Sequence, residues 1–400
     1  MKVTQIASIL NEIIKETLGE SATLVNEDLS NFVDVGKTLP STQDVENYTH
    51  KIIDKIGKTI FVNREYKGEA PSVLMDSWEY GSILEKIRAE LPDSEDNPAW
   101  NLQDGQTYNQ DIFTSPEVSA KFFNSKTTSM VKMSFVDDQV KSAFTGASQV
   151  NAFFAMIENM IQTRRTIDYE NLIFRTVNSM IGATAVDAAG GAVTPTFLGG
   201  AGNTRFVNLL YRYNQATGNS LTADKCLKDL SFIKFAAMEI SLTTGYMRKA
   251  LRLYNIGKTV KHSPSDRQHI LMLNEFKKAA DVYLQSDTFH DEYTKLPGAE
   301  GISFWQGTGS DLSFDNVSSI NVSVFNPKTP TSKQQVVMSG ILAVIYDRDA
   351  LGVCNVRNKV RSHVNNPGEF VNYWYKSEAA YFNDWDENFV CFYVADPAGA

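Results

Sequence analysis

The sequence predicts an α+β protein, and three observations carry that prediction. Apolar residues recur at helical spacing over a long stretch, Ser148 to Ile181. Strand-like, aromatic segments crowd the chain from Ile302 onward. Near the start, two alternating segments, 58–66 and 127–136, bracket a long polar excursion and read as a two-stranded arm with an elaborated tip.

The 400 residues allow roughly two or three domains, or one large interwoven unit. Hydrophobic residues at 42% and charged residues at 21% fit a globular protein with a sizeable core and exclude wholesale disorder. Lys and Arg number 38 against 47 Asp and Glu, and the net charge of -9 argues against a protein built mainly to grip nucleic acid. Cys226, Cys354 and Cys391 are too few for a disulfide scaffold and too far apart for a CxxC zinc site, which suits synthesis in a reducing cytoplasm. The first residues lead into an amphipathic stretch, not a signal core. The longest apolar run, around Ile341 to Tyr346, falls far short of the roughly 20 residues that span a bilayer. The chain is expected to be soluble, with no membrane partner.

Taken in order, Val3, Ile6, Ile9, Leu10, Ile13, Ile14 and Leu18 predict a helix ending at Gly19. Ser41 with Asp44, then Val45, Tyr48, Ile52, Ile53 and Ile56 before Gly57, predict a second. These short helices have too few neighbours to bury their stripes locally, so they pack on the chain's own core or on another subunit. Within the excursion, Trp78 to Leu91 reads as a helix stopped by Pro92. A two-stranded ribbon is only marginally stable alone, so the arm needs a surface, its own or a neighbour's.

The long helix starts at Ser148, carries Val150, Phe153, Phe154, Ile157, Met160, Ile161, Ile167, Leu172, Val177, Met180 and Ile181, and is expected to stop at Gly182. Its length would be about 50 Å. Residues 182–203 read as a loop, and 204–217 and 222–242 as helices. A strand, His269 to Leu273, leads straight into a helix, Glu275 to Leu284. Strands are predicted at Ile302 to Trp305, Ile320 to Phe325 and Val336 to Tyr346, the last apolar enough to be buried on both faces. Val353 to Val364, Phe370 to Phe382 and Phe389 to Val394 follow, with an acidic turn at Asp384, Asp386 and Glu387. No internal repeat is visible.

Charge is unevenly spread. Residues 1–117 hold 21 acidic and 10 basic side chains, a balance of -11, while residues 205–281 hold 13 basic and 6 acidic ones, a balance of +7. Two solvated faces are the default reading. The sharper one is that the acidic part of one copy meets the basic part of another.

Chemistry is sparse. Gly190-Gly191 and Gly199-Gly200-Ala201-Gly202 lack the Lys-Ser/Thr of a phosphate loop. His50, His262, His269, His290 and His363 show no HExxH spacing, and His290-Asp291-Glu292 is a single local cluster. No Gly-x-Ser-x-Gly elbow is present. A spatial Cys–His pair stays open, although Cys354 and Cys391 sit in strand patterns as small core residues do. Arg164-Arg165 reads as a solvated helix face or an ion pair with Asp168. The run Met247 to Arg252 is the best nucleic-acid candidate, without an aromatic stacking platform. No catalytic, cofactor or metal residue is assigned, which favours a structural protein over an enzyme.

The layout resembles a known family, the major capsid proteins of tailed bacteriophages, whose fold is named after phage Hong Kong 97. The residues carrying the resemblance are Gly340-Ile-Leu-Ala-Val-Ile-Tyr-Asp-Arg-Asp-Ala-Leu-Gly352, then Tyr373-Trp-Tyr375, Asn383-Asp-Trp-Asp-Glu-Asn388 and Val390-Cys-Phe-Tyr-Val394. The strand-then-helix His269 to Lys278 is similar to that of the family's axial domain. The order of elements over nearly the whole chain carries the weight.

The resemblance implies an N-terminal arm (1–57), an extended loop (58–140), a peripheral domain with a spine helix (141–200), an axial domain (201–345) and C-terminal strands completing the peripheral domain (346–400). It implies an icosahedral shell around double-stranded DNA, built from hexameric and pentameric capsomers and assembled in the host cytoplasm. Fewer than 60 residues precede the first predicted strand, so the expected scaffold is a separate protein. A portal, a decoration protein and weak DNA contact inside the shell are the other expected partners. Some members cross-link a Lys of the loop to an Asn; Lys67 and Asn365 or Asn366 are residue types too common for that assignment. A cellular encapsulin-like shell and a cytosolic α/β enzyme with an unrecognised Cys–His or carboxylate site are the alternatives.

Overall fold

A computed structural model of the chain describes residues 69–75, 84–89, 117–136, 147–285, 299–306, 318–368 and 370–397, with scattered positions at 11, 26 and between 91 and 115. The two expected N-terminal helices and the strand at 58–66 lie outside these residues. The chain divides into two compact units: residues 1–71, 126–173 and 353–380 form one, and residues 72–125, 174–352 and 381–400 the other.

The first unit is built on a three-stranded sheet in the order β10-β11-β3, from β3 (Lys126–Val136), β10 (Leu351–Asn365) and β11 (Phe370–Asn383). β3 runs antiparallel to β11, from Phe370 opposite Val136 to Ala380 opposite Lys126. The alternation seen in the sequence is kept, with Met130, Lys132 and Ser134 exposed and Phe135 buried. Cross-strand pairs fix the register: Ser129 and Ser377 hydroxyls at 2.6 Å, Lys126 and Glu378 at 3.2 Å, and the Phe135 and Tyr373 rings 5.7 Å apart. β3 thus joins β11 along one edge, and the expected pairing of 127–136 with 58–66 involves residues outside those described.

The long helix, α1 (Ala147–Ala189), has 43 residues. That is about 65 Å at 1.5 Å per residue, longer than predicted. Gly182 does not stop it. A Cβ there would meet Val322 Cγ2 at 2.8 Å, so this glycine admits a neighbouring strand. The stop falls at Gly190, with φ +71°, whose N–H donates to the Asp187 carbonyl while Gly191 N–H donates to Val186. Ala183, Ala185 and Val186 are fully buried or nearly so, and that packing carries the helix through residues read as loop.

The second unit is built on a mixed five-stranded sheet in the order β4-β12-β9-β5-β6. Its strands are β4 (Phe206–Asn208), β5 (Gln268–Leu273), β6 (Ala299–Ile302), β9 (Ile341–Asp347) and β12 (Phe389–Tyr393). β9 is buried at every position, as its continuous apolar run predicted, and pairs antiparallel with both β5 and β12. Helices α2 (Pro195–Leu198), α3 (Leu209–Thr217), α4 (Leu230–Met247) and α5 (Asn274–Gln285) complete the unit. Phe232, Ile233, Ala236, Ile240 and Met247 form the buried stripe of α4 and share one core cluster with Leu210, Tyr213, Phe276, Ile345 and Phe392.

Three boundaries differ from expectation for local reasons. The helix expected at 204–217 begins only at Leu209, because Phe206 to Asn208 pair parallel with β12 and Asn208 then caps α3 by accepting from Tyr211 N–H at 3.2 Å. The helix expected from Thr222 starts at Leu230, where Asp229 accepts from Phe232 N–H at 2.8 Å. The single strand expected over Val336 to Tyr346 is two, β8 (Thr329–Met338) and β9, parted at Gly340. β8 pairs with β7 (Ile320–Asn326) in a separate two-stranded sheet. Gly340 has φ +79°, and a Cβ there would lie 2.1 Å from the Val394 carbonyl oxygen. Gly340→Ala is expected to destabilise the free subunit by at least about 1–3 kcal/mol, read as a lower urea midpoint. An unchanged midpoint would contradict this account of the break.

Candidate assembly surfaces

The excursion read as a helix over Trp78 to Leu91 is a strand where it is described. β1 (Leu84–Ala89) pairs antiparallel with β2 (Val118–Phe123), Leu84 opposite Phe123 and Ala89 opposite Val118. Burial alternates along both strands, which a helix could not give. The half-buried face carries Leu84, Lys86, Arg88, Ser119, Lys121 and Phe123. The outward face carries Ile87, Val118 and Phe122, which are 71%, 61% and 63% exposed. The usual polarity of a surface ribbon is inverted: cations face inward and apolar side chains face water.

The inward cations meet the acidic turn. Asp384 is nearly fully buried and takes Lys86 Nζ at 3.3 Å and Lys121 Nζ at 3.2 Å. Asp386 pairs with Arg88 and Lys121. Lys86 Nζ also donates to the Asp349 carbonyl and sits 4.5 Å from the centre of the Phe382 ring. Lys261 and Glu387 add an ion pair at 2.7 Å. Burial pushes the Asp384 carboxyl upward, but Lys86 and Lys121 outweigh it and hold it below its ordinary value. The ribbon is thus clasped onto its own chain by charge, while its apolar face stays uncovered.

The other singled-out residues fall into structural roles. Arg164 pairs with Asp168 at 3.2 Å, as expected of an i,i+4 pair. Arg165 is not solvated: it is buried and donates to Asn358. Burial pushes the Cys226 thiol up to about 12, and pushes Cys391 up as well. Cys226 Sγ donates to the Ala223 carbonyl at 3.0 Å, and Cys354 is buried. Burial lowers the His269 pKa, while His262 and His363 are exposed. His50, His290 and Lys67 lie outside the described residues. Asn365 accepts from Gly368 N–H at 3.0 Å in the turn between β10 and β11. Among the described residues no group of three His, Cys, Asp or Glu could hold a metal ion. No described helix is long and apolar enough to cross a membrane. Arg248, Lys249 and Arg252 are exposed just beyond α4, with Met247 buried behind them.

The clasp was missed in the sequence because Lys86, Arg88 and Lys121 lie some 260 to 300 positions from their acidic partners. The alternation of Leu84, Lys86 and Arg88 with Glu85, Ile87 and Ala89 was the available signal.

Comparison with known proteins agrees with these elements. A family model described as Phi29-like phage major capsid protein matches residues 10–393. A protein named major capsid protein from Bacillus phage GA-1 is 26% identical over 172 residues, which cover 42% of this chain and 34% of that relative. The chain thus spans about a third of the length of the curated relative it matches. A chain in a structure of native bacteriophage P68 shares the fold at 9% identity, with 83% of this chain and 86% of that one covered and a TM-score of 0.51. A chain in the capsid structure of Staphylococcus phage Andhra aligns at 11% identity over 83% of this chain and 86% of that one, with a TM-score of 0.46. The α+β architecture, with a single long helix followed by a mixed sheet and closing strands, is consistent with a Hong Kong 97-like fold. With its family model matched over almost the full length, the chain belongs to the Phi29-like phage major capsid proteins.

Proposed function

We propose that the chain is the structural subunit of an icosahedral virion capsid enclosing double-stranded DNA, and that it acts by self-assembly without catalysis. One observation carries the reading: the ribbon turns Lys86, Arg88 and Lys121 inward and leaves Ile87, Val118 and Phe122 uncovered. Such an apolar face is supported by burial against another copy. Residues 1–57 serve as the N-terminal arm, 58–140 as the extended loop, 141–200 as the peripheral domain with the spine helix, and 201–345 as the axial domain. Residues 346–400 supply the closing strands, the last of which, β12, returns to the five-stranded sheet. Hexameric and pentameric capsomers are the assembly units. A separate scaffolding protein, a portal and a decoration protein are the proposed partners, and assembly takes place in the host cytoplasm. The exposed run Arg248, Lys249 and Arg252 is the candidate for weak contact with DNA.

Size-exclusion chromatography and negative-stain microscopy, with and without a scaffolding partner, test the reading. Capsomers or closed shells are the expected result. A compact monomer under every condition would overturn it.

A further inference from the structure

The three-stranded sheet of the first unit has two unlike faces. On β10, Asn358 accepts from the buried Arg165 of α1, so the helix lies against that face. Side chains alternate along a strand, and Arg357, Lys359 and Arg361 therefore point the other way, where all three are exposed. Arg357 reaches Glu378 of β11 at 3.5 Å, which places Glu378, Lys376 and Trp374 on the same open face. Lys132 of β3 lies directly opposite Trp374 and is exposed as well. β3 and β10 together carry five basic side chains and no acidic one, in a chain whose net charge is -9.

These cations are not spent inside the sheet. Glu378 is shared by Lys126 at 3.2 Å and Arg357 at 3.5 Å. Among the described residues no carboxylate pairs with Lys132, Lys359, Arg361 or Lys376. Charge on an edge strand deters strand addition, and β10 is an edge. That role does not extend to Lys376, which sits on the middle strand, where like charges on neighbouring strands cost stability. The cations are spaced about 7 Å along β10, and the face reaches about 10 Å across the sheet to β3. Its aromatic rings, Phe370 and Trp374, are half-buried and leave no open platform for stacking unpaired bases.

We infer that this face binds the phosphate backbone of duplex DNA, with Lys132, Lys359, Arg361 and Lys376 as the contacting cations. The inference deepens the shell reading by naming a surface turned to the genome, and it rests on that reading only for where the DNA lies. Cations without carboxylate partners release the counterions of the phosphates they meet, a contact that is indifferent to base sequence and sensitive to salt. The surface is separate from the run Arg248, Lys249 and Arg252, which belongs to the second unit.

The test measures binding of the full-length free subunit to a short DNA duplex by fluorescence anisotropy over a salt series. Replacing Lys359→Gln and Arg361→Gln together is expected to lower the slope of log affinity against log salt by about 2. Should that pair fail to fold, Lys132→Gln on the opposite edge is expected to lower it by about 1. No binding by the native subunit at low salt, or an unchanged slope in the folded variants, would overturn the inference. A slope that falls only with Arg248→Gln and Arg252→Gln would move the contact to that run and overturn it too. In shells, amine-reactive labelling of Lys132, Lys359 and Lys376 is read by mass spectrometry. Labelling of empty shells and protection in DNA-filled ones is expected. Protection in both would show that protein covers the face, labelling in both would show that nothing does, and either overturns the inference. A subunit that binds duplex as expected but never forms shells would overturn the shell reading and leave the DNA-binding face standing.

Discussion

Replacing Asp384 with Asn is expected to loosen the β1–β2 ribbon from its own chain while the five-stranded sheet stays folded. Asp384 is 3% exposed and takes Lys86 and Lys121 together, so loss of its charge leaves two ammonium groups facing a neutral amide. Removing one partner of a fully buried pair costs about 3–5 kcal/mol. Here the lysines keep part of their hydration, which reduces the loss to about 1–3 kcal/mol. Asn retains the acceptor for Asp386 N–H, so the turn itself is preserved. The readout is local: amide hydrogen exchange at 84–89 and 118–123 should quicken about 5- to 100-fold, and protease cleavage within 90–117 should come earlier in free subunits. Unchanged exchange in the ribbon would show that the apolar contacts of Phe123 with Phe382, not the charges, hold it.

The same group sets a pH dependence. The folded-state carboxyl of Asp384 lies below its ordinary value of 3.8. A carboxyl held down in this way contributes stability that is complete above the unfolded value and lost as pH falls through the folded one. Ribbon protection in the native chain should therefore be flat from about pH 5 to 8 and fall below about pH 4. In Asp384→Asn this acid-induced loss should shrink. High salt should weaken the clasp less than it weakens exposed pairs, because Asp384 is buried.

Trp305→Ala is expected to give the larger global effect. Trp305 is fully buried, its Nε1–H donates to the Ile341 carbonyl at 2.8 Å, and its own carbonyl accepts from Asn178 at 2.6 Å. It thus links the C-terminal part of α1 to the central strand β9. Truncation to Ala opens a cavity and orphans the Ile341 carbonyl, for about 3–5 kcal/mol. Trp305→Phe keeps most of the ring contact and loses the N–H, so about 1–2 kcal/mol is expected. Urea unfolding of the unassembled subunit separates the two. Equal losses would mean that the hydrogen bond, not the packing, dominates.

How much was legible in the residues follows from where the relevant forces act. Met130, Lys132 and Ser134 alternate with Val131, Met133 and Phe135 because one face of β3 is buried, and that period survives in the sequence. The apolar run Ile341 to Tyr346 declared a strand covered on both faces for the same reason. Leu84 to Ala89 misled because Leu, Glu, Lys and Ile favour a helix locally, while the carboxylates that hold them extended lie far along the chain. Gly182 misled because a glycine that ends a helix and one that admits Val322 look identical in one dimension.

The sequence by itself determined the α+β class, the single long helix and the buried closing strands. Each of these depends on composition and periodicity, which are local. Tertiary structure alone decided that β3 joins β11, that α1 runs on to Ala189, and that the acidic turn grips a cationic ribbon face. It also decided which face of the ribbon is left uncovered. Those outcomes depend on charges and side-chain volumes that meet only after the chain has folded, and burial is what makes their pairing strong enough to override local preference.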